Sequence, residues 1–384
     1  MVRVLRVTTV PISLNILLKG QFEFMRSHGF DVITASAEGN EIDELRKREG
    51  VDHYIIPLTR KITPIKDLIA LWKTYWLINT LKPDIVHTHT PKAGLIGMLA
   101  AKLAGVKVKL HTIAGLPLIE AKGLKRIILK LTEKLTVWSA NVVYPNSYVM
   151  IQLIEKELNI SREKLKVLAN GSSNGIDTEF FRNSDFLEDE AENLKQKFGI
   201  RPKDLVLVFV GRIVKDKGIN ELVEAFVDLN EAKPNIKLLL IGPFEDDLDP
   251  ISDNSRNLIN NDPSIIMTGF IKDIRPYLIL SDIFIFPSYR EGFPNVVMQA
   301  GCMGLPCIVS NINGCNEIIE EGVNGLIVNS KDVIALKNAI NTLLENQSKR
   351  LELASNARRM IIDRYDQQIV WKAILHEYKS FLDV

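Results

Sequence analysis

Short β-branched runs alternate with helix-spaced segments twice along this chain, and each series is long enough to build a parallel sheet of its own. The first opens with "VRVLRVTTV", ended by Pro11, passes through "ILLKGQFEFMRSHGF" with helical spacing, and resumes as a strand in "DVITAS". The alternation returns in "VDHYIIPL", in "PDIVHTH" with the small-residue helix "KAGLIGMLAAKLAG", in "VKVKLHTIAG" and in "ANVVYPNS". Strand, helix, strand is the unit of a parallel sheet, so residues 1–175 are expected to form one doubly wound, Rossmann-like lobe.

The pattern breaks at "LANGSSNGIDTEFF", where Gly, Ser and Asn supply turn chemistry, and the acidic "FLEDEAENLKQKFGI" follows. A second α/β series then runs through "DLVLVFVGR", "INELVEAFVDLNEA", "IKLLLIG", "SIIMTGF", "DIFIFPS", "NVVMQAGCMG", "PCIVS" and "NGLIVN". A second Rossmann-like lobe is expected over 176–365. The final segment, 366–384, carries Val370, Trp371, Ile374, Tyr378 and Phe381 at helical spacing, and is expected to pack back on the N-terminal lobe. Two lobes suit a chain of 384 residues. Such lobes would turn the carboxyl ends of their sheets toward a shared cleft, where open α/β sheets bind ligands.

A composition of 46% hydrophobic and 25% charged residues excludes disordered and fibrous classes. The net charge of +1 conceals an imbalance of +10 over residues 1–170 against −9 over 171–384. The N-terminal half is therefore expected to face something anionic, a membrane surface or a phosphate-bearing substrate. A nucleic acid is not expected, because basic and aromatic residues do not interleave. Cys302, Cys307 and Cys315 lack metal or redox spacing and read as buried thiols. Neither a signal peptide nor a spanning apolar run is evident, so a cytoplasmic protein is expected.

Two stretches in the second half can carry chemistry. In "FVGRIVKDKG" a strand ends at Gly211 and presents Arg212 and Lys217 before a helix begins near Gly218, an arrangement suited to a diphosphate. A solvated basic turn would read the same way. In "REGFPNVVMQAG" Glu291 stands in a turn, Pro294 is placed at the first helical position, and the N–H groups of Asn295, Val296 and Val297 form a positive helix end. Glu291 is either an acid that stabilises this helix or one aimed at sugar hydroxyls. Asp247-Leu248-Asp249 spells a metal-binding Asp-x-Asp, but its acidic run reads as a solvated loop. His87 and His89 share a strand face without a clustered third ligand.

Glu291 with Gln299 eight positions on resembles the E-x7-E signature of the GT-B glycosyltransferases, in particular the glycosyl transferases group 1 of glycosyltransferase family 4. "VGRIVKDKGI" resembles the phosphate stretch of that family, "NGIDTEFF" its hinge and "NGLIVN" its closing strand. The resemblance implies that Glu291 contacts the donor sugar near the reacting carbon, while Arg212 and Lys217 bind and stabilise the leaving diphosphate. Gly211, Phe270, Gly292, Phe293, Pro294, Asn295, Val296 and Gln299 complete the implied donor site. The family's second acid, which binds ribose, is Gln299 here; an amide oxygen still accepts those hydrogen bonds, so ribose binding is expected to soften.

The N-terminal lobe departs from the family pattern. Where a Thr-x-His-Gly segment is usual, the chain reads Thr112, Ile113, Ala114 and Gly115. His87, His89 and His111 are the candidates to replace the missing imidazole, against the alternative that they are structural. "PISLNILLKG" replaces the glycine-rich loop, with Ser13 and Asn15 as acceptor-side candidates alongside Gly115, and Gly20 as an ordinary helix residue.

The resemblance implies a retaining, metal-independent hexosyltransferase without a cofactor. It would take a hexose or N-acetylhexosamine from a nucleotide sugar, UDP-linked, to a polyprenyl-diphosphate-linked saccharide in polysaccharide synthesis. A UDP-sugar 2-epimerase and a non-catalytic sugar-nucleotide-binding protein are the alternatives. "EAKGLKRIILKLTEKLTVWSA" sets Lys122, Lys125, Arg126, Lys130 and Lys134 among apolar residues and Trp138. It reads either as a surface helix or as one lying on anionic lipid at the inner face of the cell membrane.

Overall fold

The computed structural model describes residues 1–119, 121–247 and 249–382, which form two compact α/β units. Unit one comprises Met1–Gly175 and Gln367–Val384, and unit two Ile176–Asp366. Unit one runs β1 (Val2–Val7), α1 (Gln21–Ser27), β2 (Phe30–Ser36), α2 (Ile42–Glu49), β3 (Asp52–Ile55), α3 (Pro64–Leu81), β4 (Ile85–His89), α4 (Pro91–Leu103), β5 (Val108–Ile113), α5 (Gly123–Ser139), β6 (Val142–Pro145) and α6 (Tyr148–Leu158). Unit two runs α7 (Asp185–Lys197), β7 (Leu205–Val210), α8 (Ile219–Ala232), β8 (Ile236–Ile241), α9 (Asp253–Asn261), β9 (Ile265–Gly269), α10 (Arg275–Ile279), β10 (Ile283–Phe286), α11 (Asn295–Cys302), β11 (Cys307–Ser310), α12 (Cys315–Ile318), β12 (Gly325–Val328), α13 (Val333–Glu345) and α14 (Gln347–Tyr365). The helix α15 (Gln367–Ser380) then returns to unit one.

Each unit holds a six-stranded parallel sheet, in the orders β3-β2-β1-β4-β5-β6 and β12-β11-β10-β7-β8-β9. The second order is the first read from the other edge. Helices cover both faces, which is why β7, β10 and β11 are almost continuously apolar and buried. In each sheet the winding reverses once, between β1 and β4 and between β7 and β10. The chain segments leaving those two strands diverge to opposite sides, and the crevice they open is where such sheets take ligands.

Unit one has a separate apolar cluster in which Val370, Trp371, Ile374 and Tyr378 of α15 pack with Val4, Leu14, Phe22 and Phe30. Gly20 sits against this cluster and is not an ordinary helix residue. It caps α1 with a left-handed φ of 79°, and a Cβ there would stand 2.7 Å from the Trp371 ring. The segment before it, Ser13–Leu17, forms a π-helical turn.

Candidate active site

The reversal point of unit two gathers charge because two glycines let backbone segments touch. A Cβ on Gly242 would fall 1.8 Å from the carbonyl oxygen of Gly211, so the ends of β7 and β8 stay in contact while Arg212 leaves the sheet. Beyond it Lys215–Lys217 make one 3-10 turn, and Gly218, with φ at 72°, starts α8. A Cβ on Gly218 would lie 2.2 Å from the carbonyl oxygen of Pro287. The Lys217 turn is thereby pressed onto the segment that leaves β10.

Three bonds fix that contact. The Tyr289 N–H donates to the Asp216 carbonyl at 2.8 Å, Arg290 Nη2 donates to Asp216 Oδ2 at 2.6 Å, and Lys217 Nζ pairs with Glu291 Oε1. The Lys217 and Glu291 side chains are only 14% and 16% exposed, so this ion pair is largely out of water. The hydroxyl of the buried Ser288 lies 3.1 Å from the same Glu291 oxygen. On the other side, Asn313 Nδ2 donates to the Gly292 carbonyl at 2.6 Å and the Glu291 carbonyl at 3.2 Å. Gly314 is left-handed and approaches so closely that a Cβ would stand 2.5 Å from the Gly292 oxygen. Glu291 is held from both flanks.

Arg212 Nη1 donates to Glu245 Oε2 at 2.9 Å. That hydrogen bond, with the charges of Glu245, Asp216 and Glu291 around it, raises the guanidinium pKa further, and Arg212 is a permanent cation. Arg212, Lys217 and Glu291 therefore stand together at the strand ends.

The helix α11 needs two corrections. Pro294 is extended, with ψ at 109°, and precedes the helix instead of opening it. The Val297 N–H is not free, because it donates to the Pro294 carbonyl at 3.2 Å as the first turn tightens. No side chain caps the helix, and Asn295, Val296 and Gln299 are its half-buried residues near this end. The Phe293 ring is buried against Tyr365 at 5.4 Å, which leaves only its backbone for a ligand. Phe270 is 79% exposed at the end of β9, two strands beyond β7 and outside the Lys217–Glu291 cluster.

Leu248 lies outside the described residues, and Asp249 Oδ2 accepts the Asp216 N–H at 2.7 Å. Among the described residues no three His, Cys, Asp or Glu side chains are placed to hold a metal ion. The three cysteines are buried and unpaired.

In unit one the histidine candidates turn inward. His87 is fully buried, with Nδ1 2.7 Å from the Tyr378 hydroxyl and Nε2 2.8 Å from the Thr112 hydroxyl. His89 stacks on it at 4.5 Å and meets Arg6 Nη2 at 2.8 Å. His111, on the opposite face of the sheet, lies 2.7 Å from the Thr88 hydroxyl, in room left by Gly94. Burial pushes all three imidazoles down, His111 to about 4, and the Arg6 charge adds to the effect at His87 and His89. They are neutral interior groups and do not line an acceptor side. Asn15 is buried as well, donating from Nδ2 to Glu44 Oε2 at 3.0 Å. Ser13 is half-buried, and Gly115 is partly exposed with open space where a Cβ would stand.

At the reversal point of unit one stands a pair that sequence reasoning missed. The Thr9 and Thr90 hydroxyls meet at 2.7 Å, and Thr90 holds a φ of 70°, an outlier for a β-branched residue that costs on the order of 1–3 kcal/mol. The signal available was the dipeptide Thr90-Pro91 immediately after a strand.

Comparison with known proteins settles the family. The chain is 32% identical to the capsular polysaccharide biosynthesis glycosyltransferase CapM of Staphylococcus aureus over 95% of its length and 94% of that protein. Residues 190–360 match the family model "Glycosyl transferases group 1", and residues 9–147 match "Glycosyl transferase 4-like". The chain is a group 1 glycosyltransferase. Its Arg212, Lys217, Glu291 and Gln299 all fall within the first match. The enzyme is also 29% identical, over 90% of its length and 88% of the other protein, to a UDP-Gal:alpha-D-GlcNAc-diphosphoundecaprenol alpha-1,3-galactosyltransferase of Escherichia coli. HepE of Anabaena, solved with UDP and glucose, superposes on this glycosyltransferase with a TM-score of 0.82 at 19% identity, over 99% of this chain and all of that one. The likeness establishes the GT-B fold.

Proposed function

We propose that this glycosyltransferase moves a hexose or N-acetylhexosamine from a UDP-sugar to a polyprenyl-diphosphate-linked saccharide, with retention of anomeric configuration, in cell-surface polysaccharide assembly. The observation that carries the reading is the convergence of Arg212, Lys217 and Glu291 at the reversal point of unit two. Two cations at strand ends suit a leaving diphosphate, and a carboxylate fixed through one oxygen by Lys217 and Ser288 suits sugar hydroxyls. The Escherichia coli relative, named for a UDP-linked donor and a diphosphoundecaprenol acceptor, and the capsular relative both support this substrate pair.

In the reaction, the bond between the anomeric carbon and the diphosphate oxygen breaks, and the acceptor oxygen bonds to that carbon on the same face. The acceptor proton passes to a diphosphate oxygen, so the products are UDP and the lengthened glycan. Arg212 and Lys217 stabilise the charge that develops on the diphosphate, and Lys217 exchanges Glu291 for phosphate when donor binds. No metal or cofactor enters this scheme. At the inner face of the membrane, α5 would rest on anionic lipid through Lys122, Lys125, Lys130 and Lys134, with Leu124, Ile127, Leu131 and Trp138 exposed beside them.

The test is UDP release from a panel of nucleotide sugars in EDTA, with and without polyprenyl-diphosphate saccharides, followed by determination of the product's anomeric configuration. Acceptor-stimulated release and an axial-to-axial or equatorial-to-equatorial product are expected. Release without acceptor, yielding free sugar, would overturn the transferase reading in favour of an epimerase or hydrolase.

A further inference from the structure

The helix α3 is apolar on both sides. Ala70, Thr74, Ile78 and Leu81 face the interior of unit one, while Ile65, Leu68, Ile69, Trp72 and Trp76 stand exposed, Trp72 to 62%. An ordinary surface helix would be polar there. No described helix is long and apolar enough to cross a membrane, so a transmembrane role does not explain the exposed row. Against it lies a concavity of about 710 Å³ lined by Leu68, Ile69, Leu71, Trp72 and Tyr75, with Leu103 from α4. The lining offers one hydroxyl and no charge, which suits an aliphatic chain and not a sugar or phosphate.

Position and charge select the occupant. Both α3 and α4 begin at the carboxyl edge of the sheet, and Lys92 Nζ joins Asp67 Oδ2 at 2.5 Å across their first turns. The Leu68 end of the groove therefore opens toward the edge at which such sheets bind substrates. The same edge carries Arg60, Lys61, Lys66, Lys122 and Lys125, all exposed. Among the described residues of 57–67, 90–93 and 117–126 the one acid is Asp67, already paired with Lys92. An apolar groove leading to a cationic rim complements an aliphatic tail joined to a diphosphate.

We propose that the groove between α3 and α4 seats the isoprene units of the acceptor's polyprenyl chain nearest its diphosphate. The inference rests on the lipid-linked acceptor of the reading above. It explains why α3 keeps Trp72 in water as part of the groove wall, with Trp76 packed edge to face beside it at 6.2 Å.

The experiment compares two acceptors with the same saccharide diphosphate, one on an ethyl group and one on an undecaprenyl chain, in detergent micelles. Binding of undecaprenyl diphosphate itself is measured in parallel. Wild type should favour the undecaprenyl acceptor through KM. Trp72→Ala and Leu68→Ser should each shrink that preference about tenfold and weaken undecaprenyl diphosphate binding to match. Ile334→Ser, at an exposed apolar position of α13 in unit two, should keep the preference. Equal effects on both acceptors, or none, would overturn the groove and leave the transferase reading standing. Loss of vesicle binding with the preference intact would assign the row to bilayer contact, and loss of a lipid-free dimer to self-association; both overturn the proposal. Chain binding that is weakened by the two variants, in a wild type that transfers nothing, would uphold the groove and overturn the function.

Discussion

The two sheets share one topology and put opposite chemistry at the point where it reverses. In unit two, Arg212, Lys217 and Glu291 stand at the strand ends with fractions of their side chains still in contact with solvent. In unit one, the corresponding strands β1 and β4 bring Arg6, His87 and His89 to the same place, but Tyr378 of α15 closes over them. Arg6 is buried, and its partners are the neutral Tyr378 hydroxyl at 2.8 Å, the Gln21 amide oxygen at 2.5 Å and His89. No described carboxylate forms an ion pair with it, and burial lowers its pKa. Topology thus selects the location, and the covering element decides whether charge there is available or sealed.

The largest break in this contrast comes from Glu291→Ala, which should lower kcat by about 10³-fold if the carboxylate acts on the transferring sugar. Thermal unfolding of the same variant should also move to lower temperature, because Lys217, largely out of water, is left without its counter-charge, so kcat is read where both proteins remain folded. A kcat within tenfold of wild type would reduce Glu291 to a structural partner of Lys217. In unit one the balance inverts: Arg6→Ala should cost about 3 kcal/mol of stability by emptying a filled interior and stranding the groups around it. Denaturant unfolding reads that loss. An Arg6→Ala protein of wild-type stability would show that the sealed network does not hold α15 in place.

Much of this was legible in the sequence, for reasons that also explain the gaps. The double alternation marks both sheets because a parallel strand buried on two faces must be continuously apolar. The Lys217 and Glu291 motifs were visible one at a time; their contact depends on Gly218 meeting Pro287, which no local spacing reveals. The pairing of His87 and His89 on one face follows from strand period, whereas their concealment depends on Tyr378, which arrives from the far end of the chain. Nothing in the alternation marks α3, since a helix apolar on both sides has no polar stripe to set its period.

The sealed side should also be the acid-sensitive side. His111 is buried with a pKa of about 4, whereas an unfolded histidine titrates near 6.5. Between those values the unfolded chain binds a proton that the folded chain refuses, so stability is complete above 6.5 and falls as pH drops toward 4. His53, half-wrapped by Thr34 and Ser36 and also near 4, adds in the same direction. Unfolding free energy should decline by about 2 kcal/mol per such histidine from pH 7 to pH 5. His111→Gln should flatten part of that slope. A slope identical to wild type would mean that His111 titrates freely.

The smallest expected effect concerns Gln299, and it separates the two halves of the donor site. Gln299 sits one turn along α11 from Asn295, half-buried, on the side of the helix that also carries Val296. Its amide offers the acceptor oxygen that a glutamate would, without the charge, so ribose hydroxyls would be held by a neutral bond instead of a charge-assisted one roughly twice as strong. Gln299→Glu should therefore lower KM for the nucleotide sugar several-fold and leave kcat within about twofold, because the ribose bond is the same in ground and transition states. A changed kcat with constant KM would place Gln299 at the sugar instead of the ribose. An inactive wild type rescued by Gln299→Glu would show that the missing acid, and not Glu291, limits catalysis in this chain.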